Sequence, residues 1–119
     1  MCPVNHHQPV AVFKALGDPS RLAMVLLIRA QQELCVCELT TALDVAQPKV
    51  SRHLSTLRDA GLLEGERRGQ WIYYQLHPQL PDWVIRVIDE AAEPNRKNLN
   101  AEMQRLANMP DRPMKTDCA

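Results

Sequence analysis

Residues 33–61 read ELCVCELTTALDVAQPKVSRHLSTLRDAG, and the reading of this stretch decides the fold. It holds two short helical patterns, one over residues 33–43 and one from Gln47-Pro48 to about Ala60, closed by Gly61. Asp44-Val45-Ala46 forms a tight connection between them. Two short helices joined by a turn of about three residues fit helix-turn-helix geometry.

The second helix has two distinct faces. At about 100° per residue, with Val50 at zero, Leu54 and Leu57 fall within about 40° of it, so this stripe packs inward. Arg52, Ser55 and Thr56 point the other way, Lys49 and Ser51 flank them, and Gln47 opens the helix. His53 falls at the edge of the buried stripe. Arginine reads guanine edges and hydroxyls serve phosphates, so the outward groups suit a major-groove helix.

Past Gly61 the period changes. Residues 62–68 and 71–76 flank Gly69-Gln70, which reads as a β-hairpin turn, a wing directly after the second helix. Arg67, Arg68 and Gln70 stand at its tip, within reach of phosphates or a minor groove. The segment is only mildly basic, with Lys49, Arg52, Arg58, Arg67 and Arg68 set against Asp59, Glu64 and Glu66. The signal lies in placement and in the order of parts, which predicts a DNA-binding module.

Toward the N-terminus, Asp18-Pro19-Ser20-Arg21 is a helix start, with Asp18 as N-cap and Pro19 at the first helical position. Leu22 to Ile28 is apolar nearly all round and marks a central buried helix. A shorter helix runs from about Pro9 to Leu16 and stops at Gly17, preceded by a loose arm over residues 1–8. Toward the C-terminus, Pro81 to about Ala92 carries Trp83, Val84, Val87, Ile88 and Ala91 along one stripe. Pro94 ends or kinks that helix, a polar helical segment resumes near residues 98–108, and the last ten residues read as disordered. The expected organisation is an arm (1–8), one winged helix-turn-helix domain (9–93) and a helical or disordered tail (94–119). The fold class is mainly α with a β-hairpin wing.

At 119 residues the chain fits one domain, and short helices leave apolar faces that dimerisation would cover. Acidic and basic residues balance at 14 each, so net charge is silent on nucleic acid. No stretch approaches a membrane span, and the start lacks the basic-then-apolar pattern of a secretory signal. The expected location is cytoplasmic, where thiols stay reduced. No Cys-x-x-Cys, nucleotide loop or base–nucleophile pairing suggests an enzyme.

Of the four cysteines, only Cys35 and Cys37 are closely spaced. Trivalent arsenic and antimony are soft centres that prefer thiolates, typically three in a pyramid. On a regular helix the two cysteines lie about 160° apart and cannot share one atom. Either the segment is unwound at its start, or a ligand unwinds it on binding. Cys2 and Cys118 lie in the tails, and His6 and His7 in the arm.

Phe13-Lys14-Ala15-Leu16 through Arg21-Leu22, Glu33-Leu34-Cys35-Val36-Cys37-Glu38-Leu39, Gln47 to Leu54, Arg58 to Leu62 and Gly69 to Tyr74 together resemble the ArsR/SmtB family, in particular its arsenic-responsive repressors. The resemblance covers about Val10 to Ala92. It implies a homodimer bound to operator DNA, an inverted repeat, which As(III) or Sb(III) releases by binding Cys35 and Cys37, so controlling an arsenic-resistance operon. It also implies a dimer interface of the first and last helices, which suits Phe13, Leu16, Trp83, Val84, Val87 and Ile88. No cofactor is expected for folding. One departure stands out: the best-known members carry a third cysteine where this chain has Thr40. A hydroxyl is a poor soft-metalloid ligand. The third position then falls to water or hydroxide, Cys2, Cys118 or the other subunit; the expectation is two-thiolate binding, with Cys2 as an optional third donor ahead of Cys118. Two alternatives are a cadmium or lead sensor using Cys2, Cys35 and Cys37, and a thiol redox switch.

Overall fold

The computed structural model describes residues 8–113. The elements run α1 (Pro9–Leu16), α2 (Pro19–Gln31), β1 (Leu34–Cys35), α3 (Val36–Leu43), α4 (Gln47–Asp59), β2 (Leu63–Arg68), β3 (Trp71–Leu76), α5 (Asp82–Ala92) and α6 (Arg96–Ala107). Asp18 starts α2 as its N-cap, its Oδ2 accepting from the backbone N–H of Ser20 at 2.9 Å and of Arg21 at 3.1 Å. The α2 run from Met24 to Ile28 is buried throughout and forms the axis on which the other elements pack.

The helix expected over residues 33–43 is shorter than its apolar pattern suggests. Leu34 and Cys35 are extended and pair antiparallel with Tyr74 and Tyr73 of β3, giving a three-stranded sheet in the order β1-β3-β2. Sheet hydrogen bonds claim these two residues, and α3 begins at Val36 with Cys35 as its N-cap. At the other end Asp44 adopts a left-handed conformation (φ 56°, ψ 49°), which stops α3 and turns the chain into α4. Val50, Leu54 and Leu57 are buried, as the helical wheel requires.

In the wing, Arg68 pairs with Trp71, leaving Gly69-Gln70 as a two-residue turn. Gly69 has φ +63°, the backbone such a tight hairpin asks for and an L side chain resists. The α5 helix seats Val84 and Ile88, both fully buried, in the core.

The segment after residue 93 is part of this same core. Leu106 on α6 is buried, and Leu99 and Met103 pack beside it, so α6 closes over α2 and α3. Of the ten C-terminal residues read as disordered, residues 110–113 are placed and Arg112 is hydrogen-bonded. Residues 114–119 and the arm up to residue 7 lie outside the described residues. No helix among those described is long and apolar enough to cross a membrane.

Candidate nucleic-acid interface and thiol site

With Val50, Leu54 and Leu57 turned inward, α4 presents Gln47, Lys49, Ser51, Arg52 and Thr56 to solvent. Thr56 donates its hydroxyl to the Arg52 carbonyl at 3.2 Å, and Ser55 is half-buried. His53 turns toward α2. Its Nε2 stands 3.8 Å from Asp18 Oδ2 and its Nδ1 3.4 Å from the Arg21 guanidinium. The Arg21 backbone N–H holds the Asp18 carboxyl below its ordinary range against the opposing effect of burial, with His53 adding to the lowering. His53 therefore anchors the recognition helix to the start of α2.

The wing tip separates its two arginines. Arg67 and Gln70 are exposed. Arg68 is drawn back into a fork on Glu33, donating at 2.6 and 2.7 Å, with Glu66 at 2.8 Å and the Tyr73 ring 4.9 Å beneath it. In this structure Arg68 braces the wing against the entry to β1, and Arg67 faces outward. Glu33 gave no sign of this role, because its partner lies 35 residues away.

The two cysteines meet. Cys35 Sγ and Cys37 Sγ are 2.8 Å apart, which a regular helix forbids and an extended Cys35 permits. The segment is thus unwound at its start, one of the two routes the spacing left open. Cys35 is buried and Cys37 half-buried. Burial, then the contact with Cys37, pushes the Cys35 thiol well up; the Glu38 backbone N–H opposes this, and the charge of the Glu38 carboxylate adds to it more weakly. Thr40 directs its hydroxyl to the Cys37 carbonyl at 2.8 Å rather than to the sulfurs. Among the described residues, no group of three or more His, Cys, Asp or Glu could hold a metal ion, so the pair supplies two donors.

Beneath the pair lies a residue that the helical pattern did not single out. Glu38 has no solvent exposure; its Oε1 accepts the Cys35 backbone N–H at 2.9 Å and its Oε2 accepts from Arg112 Nε at 2.6 Å. A glutamate three residues after the N-cap is the second half of a capping box, and that spacing was the available signal.

The expected dimer face is partly internal. Leu16, Val84 and Ile88 are buried within the protomer, because the α1 and α5 stripes must first cover α2. What remains for a partner is Val10 (79% exposed) and Phe13 (53% exposed), with Trp83 and Val87 beside them. The Phe13 and Trp83 rings lie 6.1 Å apart, which makes the patch continuous across α1 and α5.

Known proteins share this arrangement. Residues 18–64 match the family described as "Bacterial regulatory protein, arsR family". The chain is 50% identical over 105 residues to the arsenic resistance transcriptional regulator ArsR1 of Pseudomonas putida, covering 88% of this chain and 82% of that one. It is 46% identical over 99 residues to the arsenical resistance operon repressor of Escherichia coli, covering 83% and 85%. Among solved structures, the transcriptional regulator HlyU of Vibrio vulnificus matches with TM-score 0.62 and 31% identity, over 71% of this chain and 83% of that one. The AntR antimony-specific transcriptional repressor matches with TM-score 0.62 and 26% identity, over 74% and 77%. Helix-turn-helix, wing and relatives agree: the chain belongs to the arsR family of bacterial regulatory proteins, DNA-binding transcription regulators of winged-helix fold.

Proposed function

We propose that this protein is a homodimeric repressor of an arsenic-resistance operon, released from operator DNA when As(III) or Sb(III) bonds to Cys35 and Cys37. The observation that carries this reading is the 2.8 Å approach of the two sulfurs at the first turn of α3. The relatives named for arsenic resistance and the antimony-specific structural neighbour support the choice of inducer. Arsenious acid condenses with two thiols: two As–O bonds break, two As–S bonds form, and the thiol protons leave with the hydroxides as water. No electron moves.

The site sits where it can act on DNA binding. α3 is packed against α4, and the Asp44 turn joins them. A metalloid pulling on Cys35 and Cys37 competes with the β1 pairing and with the Glu38 cap, both of which fix the start of α3. Shifting that start displaces the recognition helix. Gln47, Lys49, Ser51, Arg52 and Thr56 are the α4 groups for the major groove, with Arg67 and Gln70 at the flanking backbone. The Phe13–Trp83 patch joins two copies, matching two half-sites.

The test is operator binding by the reduced protein, followed by mobility shift or fluorescence anisotropy at fixed salt. Arsenite should release the wild-type protein, while Cys35→Ser and Cys37→Ser should stay bound. An arsenite-responsive Cys35→Ser protein would overturn the assignment. The same 2.8 Å approach favours one second reading, a thiol switch in which an oxidant joins the two sulfurs. Release by peroxide and not by arsenite would select it.

A further inference from the structure

The thiol pair stands at the first turn of α3. At the other end of that helix the fold leaves a cavity of about 620 Å³, a volume typical of small-ligand sites. The ends of α3 lie ~10 Å apart along its axis, so this cavity is separate from the sulfurs.

Four parts of the fold meet there. Leu43 and Val45, on either side of the left-handed Asp44, line it from the turn into α4. Leu22 and Leu26 line it from α2, and Asp18 from the joint between α1 and α2. The start of α6 completes it. Asn95, Asn98, Leu99 and Glu102 follow the i, i+3, i+4, i+7 spacing of one helix face, and all four face the cavity.

The walls are aliphatic and the charge is of one sign. Among the described residues lining the cavity, Asp18 and Glu102 carry charge, and both are acidic. Asp18 is already satisfied, since its Oδ2 accepts from the Ser20 and Arg21 N–H groups. Glu102 is not. It is 7% exposed, and no described residue gives its carboxyl a hydrogen bond or an ion pair. Arg105, three residues on, donates its Nε to the Ala42 carbonyl instead. A buried carboxylate without a partner is costly, so it holds a proton or takes a cation.

The lining selects the cation. A divalent metal asks for several oxygen donors, and no group of three or more His, Cys, Asp or Glu among the described residues supplies them. An ammonium has three N–H donors and suits one carboxylate with amide oxygens beside it. Asn98 Nδ2 donates to Asn95 Oδ1 at 3.4 Å, leaving Asn98 Oδ1 to accept. We propose that this cavity is a binding site for a primary alkylammonium ion, with Glu102 as its counter-ion and the chain laid against Leu22, Leu26 and Leu99.

Calorimetric titration of the full-length reduced protein with octylammonium chloride at pH 8 tests this. Wild type should bind one ion per protomer, and Glu102→Gln should bind it at least about tenfold more weakly. Octan-1-ol has the same chain and no charge, and should bind both proteins alike, which also shows that the cavity survives the substitution. Methylammonium keeps the charge without the chain and should bind wild type on the order of 100-fold more weakly than octylammonium. Burial pushes the Glu102 carboxyl up to about 7, with Arg105 opposing. Octylammonium affinity in wild type should therefore fall about tenfold from pH 8 to pH 6, as the carboxyl takes up its proton. Asp18 and its contact His53 remain in Glu102→Gln, so the difference between the two proteins isolates one carboxyl. Octylammonium affinity unchanged in Glu102→Gln, methylammonium binding as tight as octylammonium, or no binding because a second copy closes the cavity would overturn the proposal.

Discussion

Arg112 Nε donates to Glu38 Oε2 at 2.6 Å, joining the last described stretch of the chain to a carboxylate that has no solvent exposure. The pair is asymmetric, since the Arg112 side chain keeps 29% of its surface. Removing the arginine strands a buried charge, whereas removing the charge on Glu38 leaves an arginine that water can reach. Arg112→Ala should therefore lower unfolding stability by about 2–3 kcal/mol, and Glu38→Gln, which keeps an acceptor for the Cys35 N–H, by less. Urea unfolding of the two variants measures this. The reverse order would mean that the cap on α3, and not the ion pair, holds the site together.

The two wing arginines should fail in different ways. Arg67 is exposed at the wing tip, with a long 3.5 Å hydrogen bond to the Gly69 carbonyl that a phosphate can replace, so Arg67→Ala should weaken operator binding and reduce the slope of log affinity against log salt by about 1. Arg68 is held by Glu33 inside the protomer, its side chain 23% exposed. Arg68→Ala should lower the melting temperature and leave the salt slope near the wild-type value. An Arg68→Ala slope as shallow as that of Arg67→Ala would show that the Glu33 fork opens on DNA.

What could be read from the chain alone follows from the range of the interactions. The inward stripe of Val50, Leu54 and Leu57, the Asp18 cap and the Gly69-Gln70 turn are local, and each appears where its pattern placed it. The start of α3 did not, because Leu34-Cys35-Val36 continues an apolar helical pattern while pairing with Tyr73 and Tyr74 fixes it as strand. That pairing spans the whole helix-turn-helix and has no local signal. Cysteine is not among the usual N-cap residues either, which hid the capping box formed with Glu38. Arg112 and Glu38 lie 74 residues apart, and no periodicity links them. The thiol pair was visible as a motif; the carboxylate and guanidinium behind it were not.

The exposed patch across α1 and α5 should behave as an interface. Phe13 is half-exposed and meets Trp83 on the surface, so Phe13→Glu should leave the protomer folded while shifting sedimentation toward monomer. Val84 is fully buried, and Val84→Asp should unfold the protein instead. Circular dichroism and sedimentation velocity on both variants separate the two effects. A Phe13→Glu protein that remains dimeric at low micromolar concentration would move the interface elsewhere.

Glu102 gives stability a pH dependence of known sign. It is 7% exposed on α6, and burial pushes its carboxyl up to about 7 from an ordinary value of 4.5, with Arg105 partly opposing. Below the ordinary value both folded and unfolded chains hold the proton, and the carboxyl carries no charge penalty. As pH rises to about 7 the unfolded chain ionises first, so stability falls across this window, by a total of about 3 kcal/mol. The carboxyl lines a cavity of about 620 Å³ with Leu22, Leu26 and Leu99, and water there reduces the size of the effect without changing its sign. Asp89, held down by Arg29, and Asp18, held down by the Arg21 N–H, act in the opposite sense and only below the ordinary carboxylate range. The difference between wild type and Glu102→Gln, followed by urea unfolding from pH 5 to pH 8, isolates the one residue. The variant should gain stability over wild type as pH rises, reaching an advantage of about 2 kcal/mol at pH 8. A variant less stable than wild type at pH 8 would show that the ionised carboxylate has a partner in the folded protein.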